Sequence, residues 1–97
     1  MFWAYMLQCA DDSYYVGHTE DLEFRLARHH AGMFATCYTY KRRPVQLVWS
    51  QNFDTRIEAL GAEHRIKGWS RAKKQALIAG DWPRIHQLAR GKHRHER

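Results

Sequence analysis

The sequence predicts an α+β domain: a small three-stranded, mostly antiparallel β-sheet flanked by helices, in the order β-β-α-β-α-α-α. Three observations predict it. Two β-prone runs, from Trp3 to Cys9 and from Tyr14 to Gly17, flank the turn residues Ala10-Asp11-Asp12-Ser13, which reads as a hairpin. A third run with alternating apolar residues extends from Val45 to Gln51 behind Pro44, a residue that suits a strand start. Between and after these runs the apolar residues recur with the period of helices, bounded by start and stop residues.

Each element has a local cause. Tyr5 and Tyr15 fall on the paired strands of the hairpin. From Glu20 to Ala31, Leu22 and Leu26 lie one turn apart, the acidic start and the basic end (Arg28, His29, His30) suit the helix dipole, and Gly32 stops the helix. At 100° per residue, Leu22, Arg25, Leu26 and His29 share a stripe about 100° wide. An arginine and a histidine on an apolar face need partners, because burying such groups unpaired is costly. Thr55 with Glu58 forms a capping box that opens a helix through Ala59, Leu60, Ala62, Glu63, Ile66 and Trp69. Glu63 borders its apolar face. Ser70 caps a shorter helix, Arg71 to Ala79, which Gly80 ends, and Asp81 starts a last one to Ala89.

With 97 residues, the chain buries about 60–65% of its unfolded surface, enough for one core. A single domain over residues 1–90 is expected, followed by a basic tail, 91–97, that frays. The 44% hydrophobic residues, with only six Gly and two Pro, exclude a disordered basic tail or a collagen-like chain. No run approaches the ~18 apolar residues of a membrane span, and Met1-Phe2-Trp3 lacks the charged start of a signal peptide; a cytoplasmic protein is expected. Cys9 and Cys37 fit no metal spacing and read as ordinary thiols, with no disulfide-linked partner. The sequence leaves the oligomeric state open, with a monomer favoured.

The net charge of +6 is unevenly spread. Residues 1–40 hold two basic against five acidic residues, and residues 41–97 hold 14 against five. A globule with this gradient offers a positive field to polyanions, nucleic acid foremost. Tyr5, Tyr15, Arg25, His29 and Glu63 recur at apolar-facing positions of separate elements, and phosphodiester hydrolysis needs such a set: a proton acceptor, a cation for the phosphate and an oxygen ligand for a metal. Spacing alone leaves open that the tyrosines only pack and that Glu63 only solvates.

Five blocks in order carry a family resemblance: Ala4-Tyr5-Met6; Tyr15-Val16-Gly17; Asp21-Leu22-x-x-Arg25-Leu26-x-x-His29; Tyr38-Thr39 before Arg42-Arg43-Pro44-Val45; and Glu58-Ala59-Leu60-x-x-Glu63-x-x-Ile66-Lys67. The chain resembles the GIY-YIG endonuclease superfamily, in particular its small stand-alone members, over residues 3 to 79. The first triad departs from the family form by lacking its glycine and isoleucine. The resemblance implies the GIY-YIG nuclease fold and a divalent-metal-dependent endonuclease that cuts DNA by water attack with low sequence specificity, single-stranded or branched DNA being favoured and duplex left open. It implies that Tyr5 deprotonates or positions the water, with His29 able to take the proton. Tyr15 hydrogen-bonds water or phosphate, Arg25 stabilises the phosphorane-like charge, and Glu63 holds one Mg²⁺ or Mn²⁺. By register His29 is chosen over its neighbour His30 and over His18. Gly17 allows a close approach where a Cβ would intrude. For DNA binding, Tyr38, Lys41, Arg42, Arg43, Lys67, Arg71, Lys73 and Lys74 are the candidate contacts, with Phe34, Tyr38, Tyr40 or Trp69 available to stack on bases. The alternatives are a non-catalytic nucleic-acid-binding module that kept the fold, and a protein- or membrane-contact domain.

Overall fold

The computed structural model describes residues 1–33 and 37–95, with side chains as far as Ala89. The chain divides into two compact units, residues 1–67 and 68–97, where the sequence predicts one domain over 1–90. In the first unit, strands β1 (Phe2–Gln8), β2 (Tyr14–Thr19) and β3 (Gln46–Phe53) form an antiparallel sheet of order β2-β1-β3. Helix α1 (Leu22–Ala31) follows β2, and α2 (Arg56–Lys67) follows β3. The second unit holds α3 (Arg71–Ala79) and α4 (Trp82–His95), which pack on each other with Ala76, Leu77 and Ile85 buried. The predicted order β-β-α-β-α-α-α is therefore the observed one.

β1 is central because its run is apolar on both faces. Tyr5 and Leu7 face one side, in a cluster with Cys9 and Val45 against which Tyr15, Leu22, Leu26 and Leu47 pack. Ala4 and Met6, one residue out of phase, are fully buried on the other side. Helix α2 packs over β1 and β2 with Ala59, Ala62 and Ile66 buried. Burying Tyr5, Met6 and Leu7 contributes about 1.5–3 kcal/mol each by apolar transfer.

The start and stop residues act as expected, with shifted bounds. Helix α1 begins two residues later than Glu20, because Asp21 is its N-cap and accepts the Phe24 N–H at 3.0 Å. Gly32 ends it at φ +72°, a left-handed conformation that a side chain would strain. The box at the start of α2 closes both ways: Glu58 N–H donates to Thr55 Oγ1 and Thr55 N–H donates to Glu58 Oε1, each at 3.2 Å. Helix α4 continues to His95 instead of ending at Ala89. Only Gly91 opposes it there, and one glycine costs about 1 kcal/mol against alanine. Of the predicted frayed tail, residues 96–97 lie outside the described residues, as does Phe34.

Candidate functional site at the β2 edge

Strand β2 lies at the edge of the sheet, so residues from both of its faces reach one rim. The two-residue period sends Tyr15 and Gly17 towards α1, while His18 points with Ala4 and Met6 towards α2. A cleft of about 500 Å³ runs along this rim. Its walls include Tyr15, Gly17 and His18 from β2, Phe24 and Arg25 from α1, and Glu63 from α2. Three of the five predicted catalytic residues, Tyr15, Arg25 and Glu63, thus meet in one cleft although they are far apart in sequence.

Glu63 is buried, and both of its oxygens are engaged. His18 Nδ1 lies 2.7 Å from Oε1, and Lys67 Nζ donates to Oε2 at 3.1 Å across one helical turn. Burial pushes this carboxyl up, but the hydrogen bonds from His18 and Lys67 outweigh it and hold the group below the usual range. Glu63 is therefore ionised at neutral pH, the form that binds a cation. Among the described residues no three His, Cys, Asp or Glu side chains gather into a metal cage. One ionised carboxylate beside open cleft volume fits Mg²⁺, which keeps most of its waters and takes one or two protein carboxylates plus substrate oxygens. A carboxylate offers about four lone-pair sites, so two bonds do not exhaust Glu63.

The other two predicted catalytic residues sit behind the cleft. Tyr5 is 0% exposed and His29 is 1% exposed, and neither lines the cleft. They are bonded to each other, Tyr5 Oη to His29 Nε2 at 2.9 Å, and His29 Nδ1 meets Thr39 Oγ1 at 2.9 Å. With the Thr39 hydroxyl donating to Cys37 Sγ at 3.6 Å, its oxygen is open to accept from His29 Nδ1–H. In that arrangement Nε2 carries the lone pair and accepts from Tyr5. Burial, then the positive charge of Arg25, lowers the His29 pKa to about 4, so the ring is neutral at pH 7. Burial raises Tyr5 well above the usual phenol range, with Arg25 opposing. Burial and Cys37 push Tyr15 up to about 12. Burial also pushes the Cys37 thiol up, but donors from Thr39, Tyr15 and Tyr38 outweigh it and leave the thiol below its ordinary range.

Gly17 joins the two halves. It lines the cleft on one side, and a Cβ there would lie 2.7 Å from Tyr5 Oη and 2.8 Å from Tyr5 Cζ. The phenol occupies the space that any side chain at position 17 would need. His30, the rival imidazole, faces elsewhere and donates from Nε2 to the Val45 carbonyl at 3.1 Å.

The predicted DNA contacts divide into groups. Lys67 borders the cleft but is paired with Glu63. Arg42 lies 3.8 Å over the Tyr38 ring, donates from Nε to Asp11 at 3.0 Å and from Nη1 to the Tyr38 carbonyl. Arg43 donates to the Tyr40 carbonyl and sits over the Tyr40 ring. Both arginines fasten the loop that carries Thr39, a role that a basic cluster does not signal. Lys41 is exposed. Arg71, Lys73 and Lys74 lie on α3 in the second unit, where Lys73 covers the Trp69 ring at 4.3 Å. Three site residues escaped the sequence reading: Thr39, His18 as a partner of Glu63, and Phe24. The period of β2 contained the signal for His18; Thr39 sits in a loop, where no period operates.

No described helix is long and apolar enough to cross a membrane, and both cysteines are free. A family model described as the GIY-YIG catalytic domain matches residues 1–76. A UPF0213 protein of Natronomonas pharaonis is 46% identical over 79 residues, covering 81% of this chain and 92% of that one. A UPF0213 protein of Staphylococcus saprophyticus is 47% identical over 77 residues, covering 79% and 93%. Among solved structures, the solution structure of a UPF0213 protein from Bacillus halodurans aligns with a TM-score of 0.54 at 35% identity, covering 90% of this chain and 94% of that one. With the family model covering residues 1–76 and relatives at 46–47% identity matching most of both chains, the chain belongs to the GIY-YIG catalytic-domain family, among its small UPF0213 members.

Proposed function

We propose that this protein is a divalent-metal-dependent DNA endonuclease that hydrolyses phosphodiester bonds with low sequence specificity. Family membership supports a nuclease-type activity. The observation that carries the finer reading is the meeting of Arg25, Glu63, Tyr15 and Gly17 in one cleft. Arg25 clamps the scissile phosphate and stabilises the charge that builds on it, as a planar guanidinium does well. Glu63 would hold Mg²⁺ or Mn²⁺, which when bound neutralises charge on phosphate and leaving oxygen and acidifies water. Tyr15, at the cleft wall, hydrogen-bonds the water or a phosphate oxygen. Contacts of this kind read the backbone and carry no sequence information, hence the low specificity.

The proton leaves through the buried pair. Tyr5 abuts Gly17 behind the cleft wall and is hydrogen-bonded to His29 Nε2 at 2.9 Å, which places it to relay a proton from the attacking water towards that nitrogen. Arg25 is the charge that lowers the His29 pKa after burial. A phosphate bound to Arg25 cancels this field and raises the proton affinity of His29 when a proton is released. Tyr5 is then the conduit and His29 the acceptor.

One observation favours the alternative of a non-catalytic nucleic-acid-binding module: both Glu63 oxygens are engaged by His18 and Lys67. The deciding experiment compares wild type, Tyr5→Phe, Tyr15→Phe and Glu63→Ala on labelled single-stranded and duplex DNA with Mg²⁺, with Mn²⁺ and with chelator. Cutting by wild type that is lost with chelator and in Glu63→Ala supports the enzyme. Retained cutting by Glu63→Ala sinks the metal assignment, and salt-sensitive binding without cutting under any condition establishes the binding module.

A further inference from the structure

Phe24 is an aromatic side chain in the first turns of α1, 57% exposed, and it lines the same cleft as Arg25 and Glu63. Helix α1 buries Leu22, Leu26 and His29 to different degrees against the sheet, and Phe24 takes no part in that packing. Phe34 lies outside the described residues, and the other aromatics that composition offers for base stacking do not line the cleft, while a cation sits over each of them as Arg28 does over Phe24. Tyr38 carries Arg42 and stacks with Tyr15, Tyr40 carries Arg43, and Trp69 carries Lys73 in the other unit. None of the three lines the cleft.

The surroundings of Phe24 match one kind of ligand. The Arg28 guanidinium sits one helical turn on, 5.2 Å from the ring centroid, and braces the ring. Arg25, the next residue, and Arg56, at the start of α2, line the same cleft. An exposed aromatic face flanked by guanidinium groups suits a base attached to a phosphodiester, since every base has a π-face and the cations take the backbone. In a duplex the base faces are covered by their neighbours and only edges are offered in the grooves. In a single strand or an unpaired end the faces are open, and aromatic side chains stack on them.

We infer that Phe24 is a nucleobase-stacking platform, and that it seats an unpaired DNA nucleotide next to the phosphate held by Arg25. This rests on the proposed nuclease reading and deepens it by naming the strandedness of the substrate. Phe24 touches the nucleotide, not the reacting atoms, so it sets binding and register on the strand.

The test is equilibrium binding in chelator, where nothing is cut, with labelled single-stranded and duplex oligonucleotides and a series of single strands each lacking one base. Wild type, Phe24→Ala and Phe24→Trp are compared after confirming equal melting temperatures, which the exposure of Phe24 leads one to expect. The expected result is that Phe24→Ala weakens single-strand binding by about 5- to 160-fold, the range for one stacked base, leaves duplex binding nearly unchanged, and no longer senses the missing base that weakens wild type. Phe24→Trp retains wild-type affinity. Equal affinity of wild type and Phe24→Ala for the single strand overturns the inference, as does an equal loss on single strand and duplex. Phe24-dependent binding by a wild type that cuts nothing with Mg²⁺ supports the platform and overturns the nuclease reading. Absence of binding by wild type overturns both.

Discussion

The sharpest perturbation available is one methyl group at Gly17. An alanine Cβ would sit 2.7 Å from the Tyr5 hydroxyl oxygen and 2.8 Å from Cζ, with the Tyr15 ring edge at 3.1 Å. Ordinary contact begins near 3.4 Å, so the Tyr5 oxygen must retreat by about 0.7 Å or β2 must shift by as much. Tyr5 has no room to retreat, being fully buried in the cluster with Leu7, Cys9 and Val45. Its 2.9 Å bond to His29 is the contact that such a shift disturbs. Overpacking of this size costs about 1–3 kcal/mol. For a domain of this length that is a fall of about 5–20 °C in Tm.

Thermal denaturation and a DNA-cleavage assay on Gly17→Ala separate the two consequences. The protein should fold with a lowered Tm and cut more slowly at every temperature below its transition, because the Tyr5–His29 distance changes even where the fold survives. Gly61→Ala is the control, since a Cβ there meets only the Arg65 side chain, at 3.8 Å. Its Tm should hold or rise. A Gly17→Ala protein with wild-type Tm and wild-type cutting would refute the reasoning, because it would mean that the space between β2 and the phenol is not filled as described.

Three further outcomes follow from the same contacts. Thr39→Val leaves the His29 Nδ1–H buried without an acceptor, which costs about 1–3 kcal/mol, or flips the tautomer and removes the acceptor of Tyr5; Tm and cutting should fall together, and Thr39→Ser should restore both. The neutral state of buried His29 makes stability depend on pH: its pKa is about 4 when folded against 6.5 for the ordinary group, so the unfolded chain binds more protons between these values and stability falls as pH drops from 6.5 to 4. The full effect is about 3 kcal/mol, read as Tm against pH, and His29→Gln should flatten that window while leaving any carboxylate effect below it. Asp21→Ala removes the acceptor of the Phe24 N–H and should cost about 1 kcal/mol, seen as a lower Tm and faster amide exchange in the first turn of α1.

Legibility in the sequence tracked the presence of a period or a cap. The order of elements, the capping box at Thr55 and Glu58, and the Gly32 stop were readable because each depends on a few neighbouring residues. The inward stripe of α1 correctly placed Arg25 and His29 on the side where both find partners. What spacing did not contain was depth. Tyr5 and Tyr15 read alike as strand tyrosines, yet Tyr5 is on the central strand and fully buried while Tyr15, on the edge strand, lines the cleft. Strand order decides that, and strand order is set by long-range pairing. The basic cluster at 41–43 shows the same limit: its charge suggests a phosphate track, and the structure adds that Arg42 and Arg43 are also bonded to Asp11, Tyr38 and Tyr40. Charge counts report what a residue carries and not what it faces.

The edge position of β2 links the fold to the chemistry. A central strand has its two faces separated by neighbours on both sides, so residues of opposite parity rarely serve one cavity. At an edge, Tyr15 and Gly17 from one face and His18 from the other converge on the same rim, and α1 and α2 bring Arg25 and Glu63 to it. The site therefore depends on parity: sliding β2 by one residue against β1 would exchange the two sets and bury His18 beside His29. Gly17 guards against that slip, because it lies opposite Tyr5, and a slip would set a residue with a Cβ against the phenol, where a Cβ would meet the hydroxyl oxygen at 2.7 Å. The same contact that fixes the register sets the spacing between the buried proton acceptor and the cleft, so stability and activity should respond together to changes at this one position.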